Sequence, residues 1–482
     1  APAPAPASNV IKIGHVGPTS GAIAHLGKDN ENGARMAVDE LNAKGITIGG
    51  QKVTIELLPE DDAGDPKQGT AVATKLVDAK VNGVIGHLNS GTTIPASAIY
   101  DAAGIPQISP SATNPKYTRQ GFKGAFRVVA DDVHLGGTLG KYAVNTLKGK
   151  AIGVIDDRTA YGQGLAEEFE KAVTAAGGKV VGHEFTTDKA TDFNAILTTL
   201  KGKKVDVVFF GGMDAVAGPM IKQMAQLGIK AKFMGGDGIC TGELPKLAGD
   251  ALKDDMVYCA EAGGVEGEQK AGMDKFRADF KAKFGQDVQL YSPYVYDALN
   301  LMVAAMVKAD SSDPAKYLDE LKKTDYKGVT GQIAFDEKGD LTKAIDHYQQ
   351  SIRFNPENLD AHNNLGVVYL TVSPPRLYEA ASEFEFARKL MPGHPDPRVN
   401  LALTLERAGK PDDAIAACRS ALDARPGHLP AIQALARTQI KHRRATPADP
   451  ATRALLEDLA LRSDPAWANW ARVQLAKADP PR

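Results

Sequence analysis

The chain has 482 residues, 43% of them hydrophobic, which allows for about three or four domains with cores to match. A formal net charge of −2 offers no electrostatic basis for a nucleic-acid or anionic-membrane partner, and no apolar run reaches the ~20 residues of a membrane span. Three cysteines with no Cys-x-x-Cys pair, and ten histidines without ligand spacing, point to no metal site and no cofactor.

Residues 1–8, Ala-Pro-Ala-Pro-Ala-Pro-Ala-Ser, read as a flexible leader. It has neither a basic nor an apolar signal region, so it is expected to start a mature chain whose signal peptide has been removed; without a first-residue Cys, no lipid anchor is expected. Buried or half-buried strands are predicted at 10–16, 53–58, 83–88, 151–156, 180–185, 205–210 and 232–234. Amphipathic helices are predicted at 30–43, 67–79, 164–176 and 215–227. This alternation implies right-handed βαβ units and parallel sheets covered on both faces. It runs once over 9–130 and restarts at Ala151, which fits two lobes with a cleft between them.

Two runs stand out, Val84-Ile85-Gly86-His87-Leu88-Asn89-Ser90-Gly91-Thr92-Thr93 and Ile108-Ser109-Pro110-Ser111-Ala112-Thr113. Each is an apolar strand ending in small hydroxyl residues. Ligands of open α/β sheets bind just beyond the carboxyl ends of strands, so side by side these loops make a donor-rich cradle for a small carboxylate. Read alone, they are equally two helix-capping turns. Together with Pro95-Ala96-Ser97 and Ile99-Tyr100, residues 9–341 resemble the periplasmic branched-chain amino-acid binding proteins of ABC transporters.

The resemblance implies a two-lobed α/β fold, with 9–131 plus 261–340 as one lobe and 132–260 as the other. It sets the Ser90 and Thr113 hydroxyls on the ligand α-carboxylate and the Ser111 backbone on its α-ammonium. Asp237, in Phe233-Met234-Gly235-Gly236-Asp237-Gly238, matches the acidic residue that pairs with the ammonium, although an acid after a strand is often only a turn former. Tyr161 matches an aromatic that closes over the ligand; Tyr291 aligns less securely with another and could equally be core. Where the family places aromatics, this chain has Leu26 and Met213, which keep the wall apolar and change its shape. The family's first-lobe disulfide is missing, with Gly64 and Asn89 in its places. Export to the periplasm allows a different one, Cys240–Cys259, at predicted strand ends; the alternative is two buried thiols. A membrane permease is the implied partner.

Beyond residue 340 the composition inverts, from five Arg and thirty-three Lys to fourteen Arg and five Lys. Ala344, Ala380 and Ala414 each open the same register: Tyr348, Phe384 or Cys418, then Ser351, Ala387 or Ala421, then Pro356, Pro392 or Pro426. With Leu365-Gly366 and Tyr369, residues 341–478 resemble tetratricopeptide repeats, which implies a concave surface for a peptide or protein partner. Residues 464–478, with Trp467 and Trp470, read as a capping helix, and Cys418 as a free core thiol.

No Gly-x-Ser-x-Gly elbow, Walker loop or Gly-x-Gly-x-x-Gly after the first strand supports an enzyme. The expectation is a periplasmic amino-acid binding protein fused to a repeat module. The alternatives are a ligand sensor with a regulatory partner, and a repeat scaffold with vestigial lobes. The junction looks like a crossover at Gly339-Asp340-Leu341, with the terminal strands of the second lobe missing. That lobe should then be the less stable one, helix 342–353 should lie on the next repeat, and the lobes and repeat array should melt separately.

Overall fold

The computed structural model describes residues 9–265, 270–341, 359–371 and 375–478, and the chain divides into two compact units, Ala1–Leu341 and Thr342–Arg482. The first unit opens with β1 (Val10–Gly17), α1 (Ala24–Lys44), β2 (Ile46–Ile48), β3 (Gln51–Asp61), α2 (Pro66–Asp78), β4 (Gly83–Gly86), α3 (Ser90–Ala102), β5 (Gln107–Ser109) and β6 (Ala125–Arg127). Their sheet has the order β2-β3-β1-β4-β5-β6 and is parallel except for the β2–β3 hairpin.

The chain then crosses to a second sheet. It is built from α4 (Asp132–Asn145), β7 (Ile152–Asp156), α5 (Ala160–Ala175), β8 (Val180–Phe185), α6 (Asn194–Gly202), β9 (Val207–Gly211), α7 (Asp214–Gln226), β10 (Lys232–Gly235), α8 (Leu244–Ala248) and β11 (Val257–Cys259). This sheet is fully parallel, in the order β11-β10-β9-β7-β8. Every residue of β7 and β9 is buried, as continuous apolar runs require when helices cover both faces. After β11, α9 (Lys270–Phe284), α10 (Ser292–Lys308), α11 (Pro314–Lys322) and the hairpin β12 (Asp325–Gly328) and β13 (Gly331–Ala334) return to the first sheet, with α10 against α1. Where two crossings meet, the Ala130 N–H donates to the Ala262 carbonyl at 2.8 Å.

Helix starts follow local chemistry. Asp65 accepts from the N–H groups of Lys67 and Gln68 with Pro66 in the first turn of α2, and Thr159 accepts from Gly162 at the start of α5. Two expectations shift. Helix α1 begins at Ala24, well before Asn30, so Leu26 lies in its first turn. Cys240 lies beyond β10, at the end of the short 3₁₀ turn Asp237–Ile239, rather than at a strand end. Its disulfide to Cys259 ties that loop to the end of β11.

The second unit contains α12 (Leu359–Thr371), α13 (Leu377–Leu390), α14 (Asp396–Arg407), α15 (Pro411–Ala424), α16 (Leu429–Lys441), α17 (Pro450–Arg462) and α18 (Pro465–Ala478). Successive helices pack against one another. Ala380, Phe384 and Ala387 of α13 are buried, as are Ala414, Cys418 and Ala421 of α15, so two registered repeats place the same positions in the core. Burial pushes the free Cys418 thiol up to about 12. Helix α17 carries no repeat signature in the sequence, and it pairs with α18, where Trp467 and Trp470 meet edge to face. The first register, from Ala344 to Pro356, and the expected helix 342–353 lie outside the described residues.

Candidate ligand-binding cleft

In the first lobe, β4 and β5 run parallel and end together, so their two loops lie side by side. Side chains stitch the loops to each other. Ser109 Oγ donates to the His87 carbonyl (2.9 Å), Ser111 Oγ donates to the Leu88 carbonyl (3.0 Å), and Ser90 Oγ accepts the Asn114 N–H (3.2 Å). Ser90 also begins α3, and the first N–H groups of a helix have no partner within it.

The second lobe contributes from the carboxyl ends of its strands: Tyr161 after β7, Met213 after β9 and Asp237 after β10. Gly162 and Gly211 touch, and a Cβ on Gly162 would lie 2.4 Å from the Gly211 carbonyl oxygen. Glycine at this contact lets the start of α5 sit against the end of β9, which sets Tyr161 at the mouth of the cleft. Tyr291 comes from the first lobe, just before α10. The buried Asp29 carboxylate holds it there, accepting from the N–H groups of Gln289 (2.9 Å), Leu290 (3.2 Å) and Ser292 (3.0 Å) and from Ser292 Oγ (3.0 Å).

These side chains converge. Leu88, Asn89, Ser90, Ser111, Tyr161, Met213 and Tyr291 line a small pocket with about 10 Å³ of free space. Asp237 is fully buried and accepts from Tyr161 Oη (2.8 Å) and Tyr291 Oη (2.7 Å), one tyrosine from each lobe. Burial pushes its carboxyl up to about 6, and the two phenols oppose that rise. Two further contacts join the lobes: His25 Nε2 lies 2.8 Å from Asp214 Oδ2, and Asn114 Nδ2 donates to the Ala160 carbonyl at 2.6 Å.

Thr113, Leu26 and Asp237 are not among the residues lining this pocket; Asp237 lies behind the hydroxyls of its two tyrosines. Leu26 is fully buried in the core because α1 starts early. Thr113 is fully buried; its carbonyl accepts the Asp132 N–H (2.8 Å), and its hydroxyl has no hydrogen-bond partner. Asp132, which the sequence reading missed, is also fully buried, and neither carboxylate oxygen has a partner. Burial pushes its carboxyl well above the usual range. An acid pair, Asp131-Asp132, at a helix start was the available signal, and Asp131 alone does the capping. Gly64 and Asn89 do face each other: a Cβ on Gly64 would lie 3.6 Å from Asn89 Oδ1.

Among the described residues no cluster of His, Cys, Asp and Glu is arranged to hold a metal ion, and no helix is long and apolar enough to cross a membrane. The arrangement brings hydroxyl loops, buried carboxylates and apolar walls from Leu88, Met213 and two tyrosine rings together, a mixture suited to a small molecule with polar and apolar parts.

Residues 10–349 match the periplasmic binding protein family, residues 334–372 a TPR repeat and residues 376–435 a tetratricopeptide repeat. An "Amino acid binding protein" of Pseudomonas aeruginosa is 40% identical over 334 residues, 69% of this chain and 87% of that one. A "Leu/Ile/Val-binding protein homolog 1" of Brucella abortus is 41% identical over 324 residues, 67% of this chain and 85% of that one. The solved branched-chain amino acid transporter substrate binding protein of Streptococcus pneumoniae, in complex with isoleucine, has a TM-score of 0.62 at 30% identity, covering 69% of this chain and 93% of that one. With strand order, cleft and sequence in agreement, the chain belongs to the periplasmic binding protein family, a family of binding proteins rather than enzymes, and continues into tetratricopeptide repeats.

Proposed function

We propose that the first unit is the substrate-binding component of an ABC transporter, working in the periplasm and taking an aliphatic, branched-chain L-amino acid between its lobes. The lobes are 9–131 with 261–340, and 132–260. The observation that carries this reading is the fully buried Asp237, held by one tyrosine from each lobe beside two stitched hydroxyl loops. The names of the related proteins support the same ligand class.

In this reading Ser90, Thr113 and the start of α3 take the carboxylate, while Asp237 and the Ser111 backbone take the ammonium, with Asp132 as a second buried carboxylate nearby. A buried charged end needs several directed partners to offset its desolvation. Tyr161, Met213 and Tyr291 enclose the aliphatic side chain. Ligand bridges the lobes and favours the closed form, which a membrane permease then recognises. The repeat unit supplies a surface for a peptide or protein partner.

A thermal-shift screen of the twenty amino acids tests the reading, because a ligand bound only by the folded state raises its melting temperature. Leucine, isoleucine or valine should give the largest rise. Asp237→Ala leaves the ligand ammonium unpaired and should weaken binding by about 3 kcal/mol or more. Calorimetry finding equal affinity in parent and variant refutes the assignment. No shift with any amino acid would mark the lobes as vestigial.

A further inference from the structure

Arg127, the last residue of β6, has a fully buried side chain. A guanidinium carries five N–H donors, and burying it is costly unless they are met. Here all five are used. Nη1 donates to the carbonyls of Ala112 (2.9 Å) and Asn114 (3.0 Å); Nη2 donates to Thr118 Oγ1 (2.8 Å) and Asp340 Oδ1; Nε donates to Asp340 Oδ1 (3.1 Å). Ala112 and Asn114 flank Thr113. One buried cation therefore grips the second hydroxyl loop on both sides of Thr113.

Its counter-charge comes from far along the chain. Asp340 Oδ1 also accepts from Thr118 Oγ1 at 2.7 Å. A tight turn delivers it: Asp336 Oδ1 accepts the N–H groups of Lys338 (2.8 Å) and Asp340 (2.9 Å), and the Asp336 N–H donates to the Asp340 carbonyl (2.9 Å). Gly339 has φ +85°, and a Cβ there would lie 2.2 Å from the Ala125 carbonyl oxygen, so glycine lets the turn lie flat on β6. The Arg127 N–H then donates to the Gly339 carbonyl at 2.9 Å, and Phe335 meets the Phe126 ring at 4.9 Å.

We propose that Arg127 and Asp340 are a positioning pair for the carboxylate-binding loop, so that ligand affinity depends on the last residue but one of the first unit. Neither side chain touches ligand; Arg127 acts through the Ala112 and Asn114 carbonyls, and Asp340 through Arg127. The inference rests on the proposed function, in which Thr113 and Ser90 take the carboxylate. It also gives the junction a physical limit. The two family matches overlap over residues 334–349, and within that overlap Gly339 and Asp340 belong to the buried link of the first unit.

The test uses full-length Asp340→Asn and Thr118→Val variants, with calorimetry of L-leucine and L-leucinamide, which lacks the carboxylate. Asp340→Asn should weaken leucine binding about tenfold to a hundredfold, the range for losing a residue that orients a ligand-contacting group. Leucinamide should lose much less, and Thr118→Val should show a smaller loss of the same selectivity. Hydrogen exchange over 110–118 should rise while β7, β9 and β10 stay unchanged. Equal losses for both ligands, or unchanged leucine affinity, overturn the proposal; if Asp340→Asn does not fold, Thr118→Val decides by the same criteria. If the parent protein binds no amino acid, the functional reading fails separately. The positioning pair is then judged by exchange alone: faster at 110–118 in the variant supports it, and unchanged exchange overturns it.

Discussion

At one edge of the first sheet, β6 is buried at all three residues, whereas β8 and β11, the two outer strands of the second sheet, contain no fully buried residue. The difference comes from what lies beyond each edge. Strand β6 is roofed by the 336–340 turn, with a backbone hydrogen bond to Gly339 and an ion pair to Asp340. Among the described residues no strand pairs outward with β8 or β11. An open sheet edge is a weak boundary, and the second lobe carries a covalent staple at one of its two edges, Cys240–Cys259. That staple also anchors the loop that begins with Asp237. The two halves of the cleft are thus held by different physics: a buried ionic network in one lobe, a crosslink in the other.

Breaking the staple should produce the largest contrast. A disulfide across 19 positions stabilises by about 3 kcal/mol on the chain-entropy account. The Cys259→Ser protein, or the reduced parent, should therefore exchange amide hydrogens faster throughout β7 to β11, with β1 and β4 unaffected. Equal acceleration in both sheets would show that the lobes unfold as one cooperative body, and the comparison would then describe geometry without stability.

The next largest effect belongs to the first lobe. His15 lies on β1 inside that sheet, fully buried, with Nδ1 3.1 Å from the Ile85 carbonyl and no partner for Nε2. Burial pushes its pKa down from 6.5 to about 4. The unfolded chain takes up this proton first as pH falls, so the stability present above about pH 6.5 drains away towards pH 4. At about pH 4.5 the loss should be about 2.5 kcal/mol relative to neutral pH. Other buried acids titrate in the same range, so the readout is the difference between parent and His15→Gln in urea unfolding at the two pH values. Parallel losses in the two proteins would remove His15 as the cause.

Much of this cleft was legible in the sequence because a parallel strand is a continuous apolar run that stops abruptly in a polar loop. That contrast marks the loops that hold Ser90 and Ser111, whereas Tyr161 and Asp237 were singled out by the resemblance to the binding-protein family. The three-residue strands β5, β6 and β11 are too short to show a period on their own. Leu26 was misplaced because its loop turns into helix six residues earlier than the apolar pattern begins to repeat. Arg127 and Asp132 were hidden for another reason. One makes its contacts to backbone carbonyls and to an acid 213 positions away, and the other is recognised by what it lacks. The first leaves no local trace in the sequence, and the second leaves only a pair of acids at a helix start.

The smallest expected effect sharpens the comparison from the other side of neutrality. His183 sits on the outer strand β8, with Nε2 2.6 Å from Asp156 Oδ2 and Nδ1 3.1 Å from Glu170 Oε1. The hydrogen bond to Asp156, followed by that to Glu170, pushes its pKa up to about 9. A raised folded-state value means the stabilisation is complete below about pH 6.5 and is lost as pH climbs through about 9. The side chain is 23% exposed, so screening cuts the contribution to about 1 kcal/mol. Acid should therefore weaken the first lobe through His15, and alkali the second through His183. Amide exchange of Val180–Phe185 in parent and His183→Gln, between about pH 6.5 and 9.5, separates the two cases. A parent protein whose β8 opens no more readily at the alkaline end than the variant's would show that this edge is held by strand pairing with β7 alone, and that the ion pair contributes nothing to it.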